Sequence, residues 1–333
     1  MKAYFIKRYG KSDVLTSGDL PEPAVREDDV LVQIHAAGVN PLDNKIRDGE
    51  FKLLLPYKMP LILGNDLAGV VVRVGASVRR FKVGDEVYAR PDDDRIGTFA
   101  EFIAIKEDSL ALKPVNLTME DASSMPLVAL TAWQTLVEKG KLKKGQKVLI
   151  HAGSGGVGTI AIQLARHIGA TVATTASAAN ADMLKTLGAD IVIDYKKDDF
   201  STKLKDYDLV LDTQGGDIQK KSLSVLKPGG KLIGIAGPPD PDFAKLRGMN
   251  GFVRLVMGLL SYGIRKAARR SGASYSFHFM TANGQQLGEI TSLIEAGHIR
   301  PVVDRVFPFE ETRQALDYVE TGRTKGKVVI KVR

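Results

Sequence analysis

The chain of 333 residues contains no cysteine. That excludes disulfides, thiolate metal sites and a cysteine nucleophile together, and it favours a reducing compartment. No run reaches the roughly 18 consecutive apolar residues that a membrane-spanning helix needs. The opening MKAYFIKRYG has neither the apolar core nor the cleavage site of a secretory signal. A cytoplasmic location is the expectation. Acidic residues are missing from one long stretch, between Asp242 and Glu289, where Lys245, Arg247, Arg254, Arg265, Lys266, Arg269 and Arg270 all lie. The formal net charge of +8 is thus concentrated in one segment. It attracts phosphate, anionic lipid or an acidic partner, and no nucleic-acid partner is expected.

The remaining composition, 44% hydrophobic and 26% charged, is that of a soluble globular protein with enough apolar residues for two domain cores. The first third reads as short strands and turns. Met1–Ile6, Asp29–Ala36, Leu67–Val74 and Glu86–Ala89 are β-branched or alternating runs between Pro- and Gly-containing turns, consistent with a small irregular barrel. Near Pro126 the period changes. Five apolar runs (Val148–Ala152, Thr171–Ala176, Ile191–Tyr195, Leu209–Asp212 and Leu232–Ala236) alternate with helical patterns such as Thr159–His167 and Ala181–Leu187. That alternation predicts a parallel, doubly wound sheet, with Ser276–Met280 as a sixth strand. A helix over Gln285–Ala296 follows, then strands at Val302–Phe307 and Lys327–Val332.

The densest signal is KGQKVLIHAGSGGVGTIAIQLAR. Gly153, Gly155 and Gly158 form G-x-G-x-x-G between an apolar strand and an amphipathic helix, with Gly156 and Val157 inside it. Glycine permits the tight turn and lets the backbone approach a pyrophosphate, and the helix N-terminus offers free N–H groups to the anion. Sites for NAD normally carry Asp or Glu about 20 residues on, to hold the ribose 2′-hydroxyl. Here the tip of the second strand reads Thr174, Thr175, Ala176, Ser177, and no acidic residue occurs between Glu138 and Asp182. A carboxylate would repel a 2′-phosphate; its absence favours NADPH. The cation expected to clamp that phosphate is not evident, leaving Ser177 and Asn180 as its best contacts.

With this loop placed, the chain resembles the quinone-oxidoreductase pattern of the medium-chain dehydrogenase/reductase superfamily. The resemblance is carried by Gly145-Gln146 … Leu149 … Gly153-Ser154-Gly155-Gly156-Val157-Gly158 … Gln163 … Arg166, and by AAGVNPLDNKIRDG, LGNDLAGVVVRVG, PLVALTAWQTL and TKGKVVIKV. It is most similar to plant alkenal/enone oxidoreductases and to the mitochondrial reticulon-4-interacting protein group, both zinc-free. The resemblance implies an α/β architecture: a GroES-like β-rich catalytic domain from residues 1–124 and 281–333, and a Rossmann domain from residues 125–280. The three zinc-ligand positions of the zinc branch hold Asn40, Asn65 and Leu127. The five histidines are scattered, so no metal site is expected.

The resemblance also distributes roles. Asn40 replaces a zinc cysteine and would donate to the nicotinamide ribose or substrate oxygen, or else simply form an Asn-Pro turn. Lys45 would reach the cofactor or a developing oxyanion, or be a solvated surface charge. Asp43 and Arg47 are expected to set loop geometry through an ion pair. Thr131 would lie below the nicotinamide and Tyr195 against the adenosine phosphate. Ile235, Phe279 and Met280 would line the nicotinamide side, and Arg323 and Thr324 would touch the cofactor. Packing roles compete for each.

Without zinc, reduction of a quinone or an α,β-unsaturated carbonyl is the natural task. The cofactor carries the hydride, and the protein orients and stabilises charge. The expected state is a homodimer. The same fold acting on an acyl thioester or saturated carbonyl, and a non-catalytic dinucleotide-binding protein of structural, RNA-binding or membrane-associated type, are the rival readings. Residues 252–270, an apolar run followed by cations, read as a lid or dimer-interface helix, or as an interfacial helix contacting anionic membrane.

Overall fold

The computed structural model describes residues 1–52 and 54–333. They form two compact units, residues 1–130 with 281–333, and residues 131–280. In chain order the strands are β1 (Lys2–Ile6), β2 (Leu15–Asp19), β3 (Asp29–Val39), β4 (Leu61–Ile62), β5 (Asp66–Val74), β6 (Glu86–Ala89), β7 (Phe102–Lys106) and β8 (Leu110–Leu112). The second unit holds β9 (Lys147–Ile150), β10 (Thr171–Ala176), β11 (Ile191–Asp194), β12 (Tyr207–Asp212), β13 (Leu226–Gly234) and β14 (Ser274–Phe277). The chain then returns to the first unit with β15 (Val303–Pro308) and β16 (Lys327–Lys331).

The first unit contains a three-stranded sheet, β2-β1-β4, and a seven-stranded sheet ordered β15-β16-β3-β5-β6-β8, in which β7 also pairs with β3. Its helices are α1 (Pro41–Arg47), α2 (Met119–Ser123) and most of α3 (Pro126–Trp133), in which the unit boundary falls. Strand β3 is the axis of this unit. Its β-branched Val30, Val32 and Ile34 are fully buried, and it bonds to β5, β7 and β16. These alternate positions face the core, and each buried Val or Ile contributes roughly 1.5–3 kcal/mol.

The second unit is a parallel sheet ordered β11-β10-β9-β12-β13-β14. Between its strands run α4 (Gly156–Ile168), α5 (Ala181–Leu187), α6 (Phe200–Lys203), α7 (Gly216–Ser222), α8 (Pro241–Leu246), α9 (Gly251–Leu260) and α10 (Tyr262–Arg270). Helix α4 buries Ile160, Ala161, Ile162, Leu164 and Ala165 and is stopped by Gly169 in the left-handed region at φ 86°, where a Cβ is costly. Val148, Leu149 and Ile150 of β9 are completely buried, as a parallel strand covered on both faces requires. The returning segment of the first unit adds α11 (Gly284–Glu295) before β15 and α12 (Thr312–Glu320) before β16.

Two expectations are corrected. The segment after Asn40 is a helix, not a loop: Pro41 sits at its first position, where its missing N–H costs nothing. Residues 252–270 are not one helix. Helices α9 and α10 meet at Ser261, which is buried and donates its hydroxyl to the Met257 carbonyl at 2.7 Å. Strands β2, β7 and β8 carried too little alternation to be read from sequence.

Candidate functional site

In the parallel sheet the chain reverses its order of strand addition between β9 and β12. Such a switch point opens a crevice at the carboxyl ends of the strands. The glycine loop leaves β9 there. A Cβ on Gly153 would lie 2.1 Å from Thr174 Oγ1, and one on Gly158 would lie 2.4 Å from the Ala152 carbonyl and 2.6 Å from Gly153 Cα. Both glycines are thus required by the protein's own packing. Gly155 differs: its nearest neighbour for a Cβ is the Ala152 carbonyl at 3.4 Å. The space over Gly155 is open, as close approach by a ligand requires.

Gly155 is the N-cap of α4 and supplies no side-chain cap. The N–H groups of Gly156, Val157 and Gly158 therefore face outward at the positive end of a helix. Across the switch point α7 also starts without a side-chain cap, but a carboxylate lies beside the turn that leads into it. The buried Asp212 carboxylate accepts from Gln214 N (2.9 Å), Gly215 N (3.1 Å) and Gln219 Nε2 (3.0 Å), and burial pushes its pKa up. Neither helix start has a side-chain cap, and the Asp212 carboxylate beside α7 makes α4 the more favourable place for an anion. Beneath the loop, His151 is buried, with Nδ1 3.1 Å from Thr175 Oγ1 and Nε2 2.9 Å from Ser222 Oγ. Burial lowers its pKa to about 4, so this imidazole is neutral scaffolding. Sequence reading treated it as one of five scattered histidines, and nothing local marks its role.

The tips of β10 and β11 lie side by side, with Ala176 opposite Asp194. Ser177 follows β10, and its Oγ accepts from Asn180 Nδ2 at 3.3 Å. Tyr195 follows β11, is 61% exposed, and donates its N–H to the Ala176 carbonyl at 3.2 Å. The structure therefore brings Ser177, Asn180 and Tyr195 to one edge. It also supplies cations that sequence reading missed, since Lys196 and Lys197 are exposed at the same tip. They escaped notice because they follow the third strand, whereas the clamp was sought after the second. Ile235 follows β13, and its N–H donates to the Asp212 carbonyl at 2.9 Å. Phe279 packs 6.3 Å from Phe243 with the Arg247 guanidinium 5.2 Å above its ring, and Met280 is buried. Thr131 is buried in α3, and its carbonyl accepts from Thr135 Oγ1 at 2.6 Å.

The first unit holds a second constellation. Asn40 Nδ2 donates to Asp66 Oδ2 at 2.8 Å, and the Lys327 ammonium donates to Asn40 Oδ1 at 2.5 Å and to Asp66 Oδ2 at 3.0 Å. Asp66 Oδ1 accepts from Leu127 N at 2.6 Å. Asp43 Oδ2 accepts from Asn40 N at 2.7 Å, the returning half of a capping box, and Asp43 Oδ1 accepts from Asn65 Nδ2 at 2.7 Å. Two carboxylates thus tie together the three positions Asn40, Asn65 and Leu127. Burial raises the Asp43 pKa to about 7 against the lowering effect of its Asn65 and Asn40 hydrogen bonds. Lys327 was missed because it stands 287 residues from Asn40, and a lysine in a closing strand reads as a solvated edge.

The expected Asp43–Arg47 ion pair is replaced by other partners. The fully buried Arg47 guanidinium pairs with Asp48 at 2.9 Å and Glu320 at 3.1 Å. The structure does not bring Lys45 to the Asn40 cluster: it is exposed on α1 with its ammonium 4.0 Å from Glu50. Arg323 is exposed in the turn before β16, where its N–H donates to Thr321 Oγ1 at 3.3 Å, and Thr324 follows it.

Zinc does not fit the Asn40, Asn65 and Leu127 positions. Leu127 has no donor atom in its side chain, and the Asn40 oxygen is already held by the Lys327 ammonium, which would repel a dication. Among the described residues no group of three His, Cys, Asp or Glu is placed to hold a metal ion.

Residues 26–115 match the model of the alcohol dehydrogenase GroES-like domain, and residues 187–330 that of the family described as zinc-binding dehydrogenase. The chain is 34% identical over 355 residues to the NAD(P)H oxidoreductase RTN4IP1, mitochondrial, of Danio rerio, across 100% of this chain and 91% of the relative. It is 37% identical over 341 residues to the NADPH-dependent alkenal/one oxidoreductase, chloroplastic, of Arabidopsis thaliana, across 99% of this chain and 79% of the relative. The quinone oxidoreductase from Coxiella burnetii superposes with a TM-score of 0.87 at 32% identity, covering 100% and 99% of the two chains. With its two units, its glycine loop at the switch point and these relatives, the chain belongs to the quinone oxidoreductase-like part of the medium-chain dehydrogenase/reductase superfamily.

Proposed function

We propose that the protein is an NADPH-dependent reductase that delivers hydride to quinones or to α,β-unsaturated carbonyls, enones and enals, without a metal ion. One observation carries the reading: an uncapped α4 opens above Gly155 beside a strand tip that carries Ser177 and no carboxylate. The β10 tip itself offers a 2′-hydroxyl no carboxylate, and Asp194 at the adjoining β11 tip is engaged by the Lys196 N–H at 3.2 Å; a 2′-phosphate would find Ser177, Asn180, Tyr195 and the side chains of Lys196 and Lys197. The relatives named for NAD(P)H, alkenal/one and quinone chemistry support the same substrate class.

When bound, the nicotinamide supplies the hydride; the chain supplies position and charge. The N–H groups of Gly156, Val157 and Gly158 would hold the pyrophosphate. Thr131, Ile235, Phe279 and Met280 are proposed neighbours of the nicotinamide. The proposed roles of Lys45, Arg323 and Thr324 rest on the family resemblance alone. Asn40 is better defined. Its oxygen must face the Lys327 ammonium, so its amide nitrogen faces Asp66 and retains one further N–H. The ammonium polarises the amide and strengthens that donor, which suits an oxygen that gains negative charge as hydride arrives.

The test is NADPH absorbance followed in parallel with a quinone, an enone, an enal and an aldehyde, before and after treatment with a zinc chelator. Oxidation by at least one of the first three, unchanged by the chelator, is the expected result. Failure with all of them, or loss of turnover with the chelator, removes the reading.

A further inference from the structure

Helix α9 is amphipathic in the wrong sense for a folded core. Phe252, Leu255, Val256 and Leu259 follow the i, i+3, i+4, i+7 pattern that defines one helix face, and that face points to solvent. Phe252 is 74%, Leu255 61% and Leu259 69% exposed, whereas Met257, on the opposite side, is buried. Leu246 at the end of α8 and Leu260 at the end of α9 are exposed as well. The charge around it is one-sided. Arg254 lies on α9; Arg265, Lys266, Arg269 and Arg270 lie on α10, where the Lys266 ammonium stands 5.4 Å from the Tyr262 ring. None of these five cations forms an ion pair among the described residues, and no acidic residue occurs between Asp242 and Glu289 to neutralise them.

We infer that α9 and α10 form a docking surface for an anionic lipid bilayer, with the Phe252–Leu259 face entering the acyl boundary and the cations meeting the headgroups. Three observations favour a bilayer over a second copy of the chain. A two-fold contact brings the same patch from both copies to one interface, so five unpaired cations from each would crowd its surroundings with no acid of this segment to offset them. Leucine and phenylalanine flanked by arginine, lysine and an exposed tyrosine match the composition of interfacial helices. Each cation near an anionic surface also adds attraction that a neutral partner cannot give. The inference is independent of the reductase reading, since it concerns where the protein resides and not what it reduces.

The full chain is sedimented with vesicles of phosphatidylcholine alone and of phosphatidylcholine mixed with phosphatidylserine. Binding to the anionic vesicles, at least about tenfold weaker on the neutral ones and weakened by added salt, is expected. Two variants divide the contributions: F252S/L255S/L259S removes the apolar face, and R265Q/K266Q/R269Q/R270Q removes the charge. Each lowers the bound fraction by about tenfold or more if the inference holds. Because the chain has no cysteine, Leu259→Cys carrying an environment-sensitive fluorophore reports insertion directly in the otherwise unaltered protein; a blue shift with anionic vesicles is expected. Absence of binding to anionic vesicles overturns the inference. So does binding that neither variant weakens, or a fluorophore that shifts on self-association and not on vesicles, which would mark the patch as an interface between copies.

Discussion

The Lys327 ammonium lies 2.5 Å from Asn40 Oδ1 and 3.0 Å from Asp66 Oδ2, all three side chains buried. The Asn40 amide and the Asp66 carboxylate thus share one buried cation, the lysine of β16. Replacing Lys327 by Met leaves Asp66 as a buried charge with two neutral donors, Asn40 and Leu127. Breaking one side of such a pair costs about 3–5 kcal/mol. Chemical denaturation of the variant is expected to show that loss, and an unchanged midpoint would mean that Asp66 is solvated or protonated instead.

The two loop glycines make a contrast that separates binding from folding. Gly158→Ala forces a Cβ against main-chain atoms at 2.4 and 2.6 Å, so it disturbs the loop and lowers thermal stability by the equivalent of a few kcal/mol. Gly155→Ala meets nothing closer than 3.4 Å at a φ of −81°. Its melting temperature is expected to match the parent while NADPH affinity, read by calorimetry, falls about tenfold or more. Equal affinity for the two proteins would mean that the pyrophosphate is held elsewhere.

Discrimination between the two dinucleotides is predicted to reside at the paired tips of β10 and β11. Neutralising Lys196 and Lys197 together weakens NADPH binding by about tenfold, about 1.4 kcal/mol, and leaves NADH binding nearly unchanged. Titration of both cofactors against the double variant checks this. A parallel loss for NADH would place the lysines at the shared part of the cofactor.

Acid stability carries the signature of His151. Its pKa in the folded chain is held near 4 by burial, below the ordinary value of 6.5. The neutral ring is favoured, so its contribution is complete above pH 6.5 and is lost as pH falls toward 4. The span corresponds to about 3 kcal/mol at most. Unfolding free energies of the parent and His151→Gln, measured from pH 7.5 to 4, should converge as the solution is acidified. His278 is lowered to about 4 in both proteins, so it cancels in the difference. Parallel curves would show that His151 keeps its proton equilibrium on unfolding.

The parallel sheet was legible because each of its strands is a local run of apolar residues bounded by turns, and the glycine loop because its spacing is a local backbone requirement. Ser177 followed from its strand-tip position, and Tyr195 from the family resemblance. Lys327 and Asp66 were not legible, because Lys327 meets Asn40 and Asp66 only once β16 is laid beside β3 and no local pattern encodes that pairing; Asp43 was read as setting local geometry, but with Arg47 as its partner where the structure has Asn40 and Asn65. Helix α1 shows the opposite failure. Its Asn-Pro opening is compatible with both a turn and a helix start, and the buried Asp43 below it decides. The exposed face of α9 was legible as apolar, but its direction required the burial of Met257 on the other side.

Strand β16 sits between β15 and β3, with Val328, Val329, Ile330 and Lys331 paired to Val39, Gly38, Ala37 and Ala36. During synthesis, residues 131–280 emerge complete and can fold while the first 130 residues still lack an interior strand. The first unit therefore stays open along the Ala36–Val39 part of β3 until Lys327–Lys331 have left the ribosome, and a chain cut before β16 would have a complete 131–280 unit and an unclosed first unit.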